Sequence, residues 1–414
     1  MSMARGEIFT GRVERIASGG AGLARVDGKS VFIDLTAPGD LIRGRITKEH
    51  RSWSEAELLE ILEPSSLRVT PPCPFFGRCG GCSLQHLSYD AQIEAKTAIL
   101  LDSCKRIGGF VLPEIRVRRS EPFGYRNRVQ FHLDSENRPC FKERKSSRLV
   151  AIDDCPVADE GIRRALRERR IKPPEVRKRF NMYTYRYAFL VEGEVERGNV
   201  SILGRELFID VGVFFQSNAA MLETLINDLL EVSTTVDKSL PLADIYCGVG
   251  TFAAFLAGTY GSDGASGSGG SSDVNGIYAD GIYTDAFPEI DLVEENKTAL
   301  ALARNNLSMY KKVNYYALKD SEWIKLDQKR DWGLIILDPP REGLSAAFRE
   351  WLVRNGPRLV AYISCDPATL ARDCGVLLKG GYTMRELTFY DFYPQTAHIE
   401  SLAVFNRGRN ACGE

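Results

Sequence analysis

The chain has 414 residues, and its 54 lysines and arginines are balanced by 55 aspartates and glutamates. This length exceeds the size at which one hydrophobic core keeps growing, so two or three domains are expected. The near-zero net charge excludes a global field that attracts polyanions, and any contact with nucleic acid requires local basic patches. The sequence has neither an apolar run of about 18 residues nor an apolar signal core, so we expect a cytoplasmic protein without a membrane span.

Residues 1–63 are predicted to form a small β-barrel. Short runs of alternating polarity are separated by glycine turns such as Gly19-Gly20-Ala21-Gly22, and little helical periodicity is present. Residues 31–40 resemble the TRAM module, an OB-like barrel found on RNA-modifying enzymes. Its basic residues are expected either to share one RNA-facing surface or to be solvated side chains on a small barrel: Arg12, Arg15, Lys29, Arg43, Arg45 and Lys48.

A glycine-rich run at residues 72–86 carries three clustered cysteines, Cys73, Cys79 and Cys82. Ten cysteines are too few for a disulfide scaffold in a chain of this length, and clustered cysteines in a reducing compartment more often bind metal. Cys155, which also precedes a proline in a polar turn, is the best candidate for a fourth ligand. Four thiolates fit either tetrahedral zinc or a cubane iron–sulfur cluster, and their spacing does not choose between them. His86 is expected to stabilise this site without binding the metal.

Residues 64–208 are assigned to a central domain that contains the cysteine site. Residues 123–131 interleave basic and aromatic side chains, which suits RNA phosphates and bases but suits equally a sheet with one wet face. Residues 161–180 contain many arginines before Pro173-Pro174. We predict a short basic helix there, with RNA contact slightly favoured over a solvated face.

From residue 209 to 414, buried strands alternate with helices, which predicts a Rossmann-like α/β domain. A strand at 242–245 enters the glycine turn Tyr246-Cys247-Gly248-Val249-Gly250-Thr251, where the backbone can approach a nucleoside-sized ligand. The third glycine of the dinucleotide fingerprint is absent. Glu294 ends the next strand and suits ribose hydroxyls, whereas Asp320 follows the third strand and suits an adenine amino group. These placements favour S-adenosylmethionine over NAD.

Residues 258–288 interrupt this scheme with a stretch dense in Gly, Ser and Asp. Such a stretch cannot bury enough apolar surface to order itself. We therefore predict a flexible surface insertion and assign no chemistry to it.

Three candidate catalytic side chains lie near the ends of the later strands. Cys365 follows a buried apolar run, and Pro367 forces a turn just after it, so the nucleophilic thiol is expected at the carboxyl edge of the sheet. Asp338 begins the turn Asp338-Pro339-Pro340-Arg341 and suits hydrogen bonding to a planar base that is turned into the pocket. Glu400 precedes the last apolar strand and could act as a base if partly desolvated. Taken alone, Cys365 also fits a buried structural cysteine.

The motifs together resemble those of the RNA 5-methyluridine methyltransferases. The four matching segments are Asp244-Ile245-Tyr246-Cys247-Gly248-Val249-Gly250, Leu337-Asp338-Pro339-Pro340-Arg341, the run from Ser364-Cys365 to Arg372-Asp373, and His398-Ile399-Glu400-Ser401. The resemblance covers nearly the whole chain. The cysteine run and the TRAM-like start are more similar to the bacterial 23S ribosomal RNA branch than to the transfer RNA branch, which lacks the cluster.

This resemblance implies a cofactor set and a site. Cys73, Cys79, Cys82 and Cys155 would hold a [4Fe–4S] cluster. The pocket for S-adenosylmethionine and the base would be lined by Gln216, Tyr246, Gly248, Gly250, Thr251, Glu294, Asp320 and Asp338. Two departures are present: Thr251 stands where relatives often have asparagine, and the 258–288 insertion is longer than the family usually needs.

The resemblance further implies a monomeric enzyme that methylates C5 of uridine in ribosomal RNA. Cys365 would add to C6 of a uridine that has left its stack, Asp338 would hydrogen-bond the base, and Glu400 would remove the C5 proton after methyl transfer. The alternatives are a transfer RNA uridine-C5 methyltransferase, another methyltransferase or nucleotide-binding enzyme of the same fold, and a non-catalytic RNA-binding protein with a structural metal site.

Overall fold

The β-barrel predicted for the amino terminus is present. The computed structural model describes residues 4–112, 114–168, 178–261, 282–326 and 330–408, with backbone only for 259–261 and 282–285. Five strands close into a barrel in the order β1-β2-β3-β5-β4. They are β1 (Ile8–Ile16), β2 (Gly22–Val26), β3 (Lys29–Ile33), β4 (Leu41–Glu49) and β5 (Trp53–Glu63). Because side chains alternate across a strand, one set fills the interior: Phe9, Val13, Ala24, Val31, Ile33, Ile42 and Ile46.

The basic side chains of the barrel are paired with acidic ones. Five of the six side chains predicted to face RNA form ion pairs: Arg12–Glu63 at 2.6 Å, Lys29–Glu49 at 3.1 Å, Arg43–Glu60 at 2.7 Å, Arg45–Glu57 at 3.2 Å and Lys48–Glu55 at 3.8 Å. Surface pairs of this kind add little stability, but each cancels a positive charge. The structure therefore does not support the prediction that these residues form one cationic surface for RNA.

The central region contains one long helix, a five-stranded sheet and a two-stranded ribbon. Its elements are α1 (Tyr89–Ser103), which continues into a π-helical turn (Cys104–Gly108), β6 (Arg116–Arg118), β7 (Arg128–Leu133), β8 (Pro139–Lys142), β9 (Leu149–Ala151), α2 (Glu160–Arg167), β10 (Arg179–Tyr185), β11 (Ala188–Val191), β12 (Arg197–Ile202) and β13 (Arg205–Asp210). The larger sheet has the order β11-β10-β7-β8-β9, and β12 pairs with β13. Aromatic side chains Phe131 and Phe180 are fully buried in its core, so part of the 123–131 segment serves packing.

The basic helix predicted in residues 161–180 is present as α2. Asp159 caps its first turn by accepting a hydrogen bond from the Ile162 backbone N–H at 2.9 Å. Arg163 contacts Asp154 at 2.7 Å, and Arg167 contacts Glu160, so these two arginines are engaged within the protein. The rest of the predicted arginine-rich stretch, residues 169–177, lies outside the described residues.

The carboxyl-terminal region confirms the predicted Rossmann-like domain. Its elements are α3 (Ala219–Ser233), β14 (Leu242–Ile245), α4 (Thr251–Leu256), β15 (Gly258–Gly261), β16 (Ile282–Asp285), β17 (Ile290–Val293), α5 (Lys297–Asn306), β18 (Val313–Tyr316), α6 (Asp320–Trp323), β19 (Leu334–Leu337), α7 (Ala346–Asn355), β20 (Leu359–Ser364), α8 (Pro367–Lys379), β21 (Tyr382–Tyr390) and β22 (Glu400–Arg407). The main sheet has the order β18-β17-β14-β19-β20-β22-β21-β6. The first five strands are parallel, and β22 runs antiparallel to both of its neighbours.

Helices cover both faces of this sheet, which is why its strands are continuous apolar runs. In β19, Leu334 and Ile336 pack in a core with α3, α4 and α5, whereas Ile335 and Leu337 pack in a second core with α7 and α8. Helix α1 also packs in this second core through Ile99. The central region therefore supplies one helix and, with β6, one edge strand to the catalytic domain.

The predicted insertion at residues 258–288 begins and ends with paired strands. β15 and β16 form an antiparallel ribbon in which Gly258 pairs with Asp285. Residues 262–281, which include the Gly/Ser-rich run, lie outside the described residues. Across the described ranges of the chain, we find no helix with the length and apolar character that a membrane crossing requires.

Candidate active site

A cavity of about 630 Å³ lies at the carboxyl ends of the parallel strands, the edge at which open α/β sheets bind ligands. Its wall includes eight of the residues predicted from the sequence: Gln216, Tyr246, Gly248, Thr251, Glu294, Asp338, Cys365 and Glu400. It also includes residues that were not assigned to the site: Arg126, Arg128, Phe214, Tyr393 and His398. The alternation of basic and aromatic residues at 123–131 was the signal for Arg126 and Arg128. Gly250 and Asp320 are not among the residues of this wall.

The glycine turn after β14 has the conformation that its sequence requires. Gly248 has a φ of 56°, and a Cβ built on it would have no atom within 4 Å, so the backbone there is open to the cavity. Gly250 has a different role, because a Cβ on it would lie 2.7 Å from the side chain of Leu307. Gly250 therefore allows the turn to pack against α5.

Glu294 and Asp320 were both predicted to bind the cofactor, but of the two only Glu294 lines the cavity. Glu294 lines the cavity and accepts a hydrogen bond from the Gly248 N–H at 3.1 Å. Asp320 is buried and accepts hydrogen bonds from the Tyr246 hydroxyl at 2.7 Å and the Ser345 N–H at 3.0 Å. Asp320 therefore positions Tyr246, which lies between it and the cavity in an unusual left-handed conformation with a φ of 65°.

Gln216 presents an unused acceptor to the cavity. Its side chain is buried, and its Oε1 atom has no hydrogen-bond partner among the described residues. Because buried polar atoms are nearly always hydrogen-bonded, this oxygen indicates a donor that a ligand would supply.

Cys365 lies between a strand and a helix at the edge of the cavity. β20 ends at Ser364, and α8 begins at Pro367 with Asp366 as its N-cap, which accepts from the Thr369 N–H at 2.8 Å. The thiol is thus fixed by regular structure on both sides. Cys365 also lines a second groove of about 400 Å³, whose wall combines barrel residues, the cysteine loop and the basic pair Arg144 and Lys145.

Three ionisable groups in the cavity influence each other. Burial and the proximity of Glu294 raise the pKa of Asp338 to about 7. Burial and Asp338 raise the pKa of Glu400 well above its ordinary value. Burial, followed by Glu400 and Asp338, raises the pKa of the Cys365 thiol to about 12, while Arg341 acts in the opposite direction. Without ligands the thiol is therefore protonated, and the two carboxyl groups titrate together.

The four predicted metal ligands line one cavity of about 710 Å³ in the central region. Cys73, Cys79, Cys82 and Cys155 are all free thiols there, and the Gly81 N–H donates a hydrogen bond to the Cys79 sulfur at 3.4 Å. No three His, Cys, Asp or Glu side chains of the described residues converge tightly enough to hold a single metal ion. Four thiols that line one cavity, with an N–H donor to one sulfur, suit a thiolate-ligated metal centre.

His86 does not line the cysteine cavity itself, but its ring centroid lies 5.7 Å from that of Phe76, which does, so its supporting role stays a prediction. The ring is buried and contacts the barrel, where Nε2 donates a hydrogen bond to the Thr36 carbonyl at 3.0 Å. Arg126, in contrast, lines both the cysteine cavity and the catalytic cavity. The two sites are therefore adjacent in space.

The doubly wound sheet, its antiparallel strand β22 and the open glycine turn define a class I methyltransferase domain. A family model described as tRNA (uracil-5-)-methyltransferase matches residues 189–407. An RNA methyltransferase of Treponema denticola is 32% identical, with 92% of this chain and 94% of that protein aligned. The chain belongs to the RNA uracil-C5 methyltransferase family. Its activity is S-adenosylmethionine-dependent methylation of uracil C5 in RNA.

Two further relatives have specific names. The 23S rRNA (uracil(1939)-C(5))-methyltransferase of Alkalilimnicola ehrlichii is 28% identical, with 97% of each chain aligned. The crystal structure of Pyrococcus abyssi tRNA (uracil-54, C5)-methyltransferase with S-adenosyl-L-homocysteine superposes with a TM-score of 0.69 at 23% identity. The superposition covers 96% of this chain and 100% of that one, so the two proteins share their fold over the whole length.

Proposed function

We propose that this enzyme forms 5-methyluridine in 23S ribosomal RNA, with Cys365 as the nucleophile and Asp338 and Glu400 as acid–base groups. The proposal rests on the position of Cys365, which lies in the walls of two openings, the catalytic cavity and the second groove. One opening contains the glycine turn and Glu294, which suit a nucleoside cofactor. The other contains basic side chains, which suit an RNA strand. A thiol at this junction can reach a base while a methyl donor approaches from the other side.

The cofactor side has the groups that S-adenosylmethionine requires. The backbone at Gly248 is open to the cavity, the Glu294 carboxylate can accept hydrogen bonds from ribose hydroxyls, and the unpaired Gln216 Oε1 can accept one more. The bound sulfonium also brings a positive charge to a cavity with several carboxyl groups. That charge would stabilise the Cys365 thiolate and lower the pKa of the thiol from about 12 toward neutrality.

The RNA side is a groove whose wall includes three cations, Arg144, Lys145 and Arg341, and two anions, Asp34 and Asp366. Arg144 and Lys145 both contact Asp34, at 3.3 Å and 2.6 Å, so the cluster has a net positive charge. Arg341, also in this wall, donates a hydrogen bond to the His398 ring at 3.3 Å. This groove is a better candidate for phosphate contact than the ion-paired face of the barrel.

The chemistry follows from the low nucleophilicity of uracil C5. The Cys365 thiol gives its proton to water, the thiolate adds to C6 of a flipped uridine, and the electron pair moves through C5 to O4. Asp338, whose raised pKa allows it to carry a proton near neutral pH, donates a hydrogen bond to the developing O4 charge. S-adenosylmethionine, when bound, would supply the methyl group to C5 and leave as S-adenosylhomocysteine. Glu400 removes the C5 proton, and elimination releases C6 from the Cys365 sulfur.

We infer that Cys73, Cys79, Cys82 and Cys155 hold a [4Fe–4S] cluster. The single cavity that these four thiols share and the N–H donor to the Cys79 sulfur support this assignment. Protein purified without oxygen should be brown and contain about four iron and four sulfide per chain. Colourless, active protein with one zinc per chain would contradict the assignment.

The choice of ribosomal RNA is supported by the Alkalilimnicola ehrlichii relative, whose name specifies 23S rRNA, together with the cysteine site. Mapping 5-methyluridine in 23S rRNA and in tRNA, from cells with and without this protein, tests the substrate directly. Loss of one 23S rRNA site is the expected result. Loss of 5-methyluridine from tRNA alone would favour the second candidate, a tRNA enzyme.

A further inference from the structure

Glu400 follows directly after a buried irregular loop. β21 ends at Tyr390 and β22 begins at Glu400, and the two residues are paired across the strands. Residues 391–399, called here the 391–399 loop, connect these strands and place Tyr393 and His398 in the wall of the catalytic cavity. Most of the loop is buried. A buried loop needs partners for its backbone groups, because no regular ladder supplies them.

Helix α1 of the central region supplies several of these partners from one face. Gln92 and Gln395 exchange two hydrogen bonds: Gln92 Nε2 donates to Gln395 Oε1 at 3.0 Å, and the Gln395 N–H donates to Gln92 Oε1 at 2.9 Å. One turn later, Lys96 Nζ contacts Asp391 at 2.6 Å and donates to the Tyr393 carbonyl at 2.9 Å. The spacing of four residues places both side chains on the same side of the helix.

The loop that carries Cys73, Cys79 and Cys82 also contacts the 391–399 loop at Gln395. The N–H groups of Ser83 and Leu84, immediately after Cys82, both donate to the Gln395 carbonyl at 2.9 Å. Gln395 has a φ of 68°, a left-handed conformation that a non-glycine residue rarely adopts without strong support. Its amide, side chain and carbonyl are thus all fixed by the central region.

The ion pair between Lys96 and Asp391 is unusual for its burial. The side chains are 1% and 0% exposed. Moving two charges out of water costs about as much as their attraction returns, and apolar residues of similar size are often as stabilising. A fixed geometry is therefore a better explanation of the pair than stability.

We propose that Gln92 and Lys96 are positioning residues that hold the 391–399 loop, and through it Glu400, at the reacting base. This inference rests on the proposed function and deepens it, because it assigns part of the catalytic geometry to the central region. Small displacements of a catalytic group reduce rates strongly, by about 100-fold for 1 Å. Loss of this support should therefore slow the step that Glu400 performs and leave the binding of both substrates in place.

The test uses Gln92→Leu, which removes both hydrogen bonds to Gln395 and keeps a side chain of similar volume. The full-length protein, purified anaerobically, is mixed with S-adenosylmethionine and RNA, and the methylated covalent adduct of Cys365 is quantified by mass. We expect the adduct to accumulate at least five-fold over wild type, with RNA and cofactor Kd changed less than two-fold. Ile99→Val, a mild core change in the same helix, is the matched control and should not accumulate adduct.

Glu400→Gln is measured in parallel, so that two failures can be told apart. Adduct in Glu400→Gln but not in Gln92→Leu would overturn the positioning role alone. Absence of adduct from both variants would overturn the proposed function and this inference with it.

If Gln92→Leu fails to fold, the double variant Lys96→Met and Asp391→Leu replaces the ion pair with apolar side chains. The same accumulation is expected there, and wild-type behaviour in that folded variant would overturn the proposal.

Discussion

Charged side chains on the barrel are mostly exposed and paired with opposite charges, whereas carboxyl groups of the catalytic cavity lie near one another. On the barrel, Arg43 and Arg45 are about half exposed, and each has a glutamate within 3.2 Å. In the cavity, burial and Glu294 raise the pKa of Asp338, burial and Asp338 raise that of Glu400, and burial with both of these carboxyl groups raises that of Cys365. Arg341 acts in the opposite direction on Glu400 and Cys365. Exposed matched charges change little when one is removed, whereas buried unmatched ones control protonation. The comparison predicts that function depends on the cavity and is insensitive to the barrel pairs.

The largest effect is expected at Cys365. Cys365→Ala removes the proposed nucleophile, so methylation should fall by about 10⁴-fold or more and no covalent RNA adduct should form. Glu400→Gln leaves addition and methyl transfer possible, so a methylated adduct should accumulate as a slowly migrating RNA-linked band. Labelled RNA and denaturing gels measure both outcomes.

Cys374→Ala is the matched control for Cys365→Ala. Cys374 is buried in α8 and does not line the catalytic cavity, so its replacement should retain activity. Methylation by Cys365→Ala, or an adduct that maps to Cys374 or Cys247, would show that Cys365 is not the nucleophile.

The next effect concerns the cysteine cavity. Cys82→Ala removes one of the four proposed cluster ligands, so iron and sulfide contents should fall by more than half and the brown colour should fade. Cys140→Ala is the control, because Cys140 is buried in β8 and is not part of the cavity wall. Equal iron in the two variants would remove Cys82 from the ligand set.

A smaller effect is expected in the pH dependence of stability. The pKa of Asp338 is raised from 3.8 to about 7 in the folded protein, so folding favours its protonated form. The stability associated with this group is fully present below about pH 4 and is lost as pH rises toward 7. Asp338→Asn removes this loss, so the variant should gain on the order of 1–3 kcal/mol over wild type at pH 8 but not at pH 4.

Denaturant unfolding without cofactor at pH 4 and pH 8 measures this difference. Some pH dependence should remain in Asp338→Asn, because the pKa of Glu400 is raised as well. An unchanged loss of stability between the two pH values would mean that Asp338 is already ionised in the folded protein.

The smallest effect is expected on the barrel. Arg43→Ala together with Arg45→Ala should change the Kd for RNA less than about three-fold at 0.15 M salt, because glutamates already offset both charges. Arg144→Ala with Lys145→Ala, in the groove beside Cys365, is the comparison and should weaken binding about ten-fold with a shallower salt dependence. The reverse ranking would restore the barrel face as the RNA surface.

Much of the catalytic site could be predicted from local sequence. Cys365, Asp338 and Glu294 each follow an apolar run, and the carboxyl ends of parallel strands meet at one edge whatever the other details of the fold. The sequence also favoured a site for S-adenosylmethionine over one for a dinucleotide, because the third glycine of the dinucleotide fingerprint is missing from the turn after β14. These signals come from short stretches of sequence, because they depend only on the pattern of apolar residues along a strand and on the backbone conformations that glycine allows.

The sequence by itself thus determined the fold class, the barrel and the residues at the strand ends. Only the tertiary structure decided that Asp320 lies behind Tyr246, that Gly250 serves packing, and that the barrel arginines are paired. It also placed Gln92 in contact with Gln395, which lies 303 residues away in the sequence. Contacts of this kind depend on how separate elements pack, and no local pattern specifies which side chain will lie opposite another once the chain has folded.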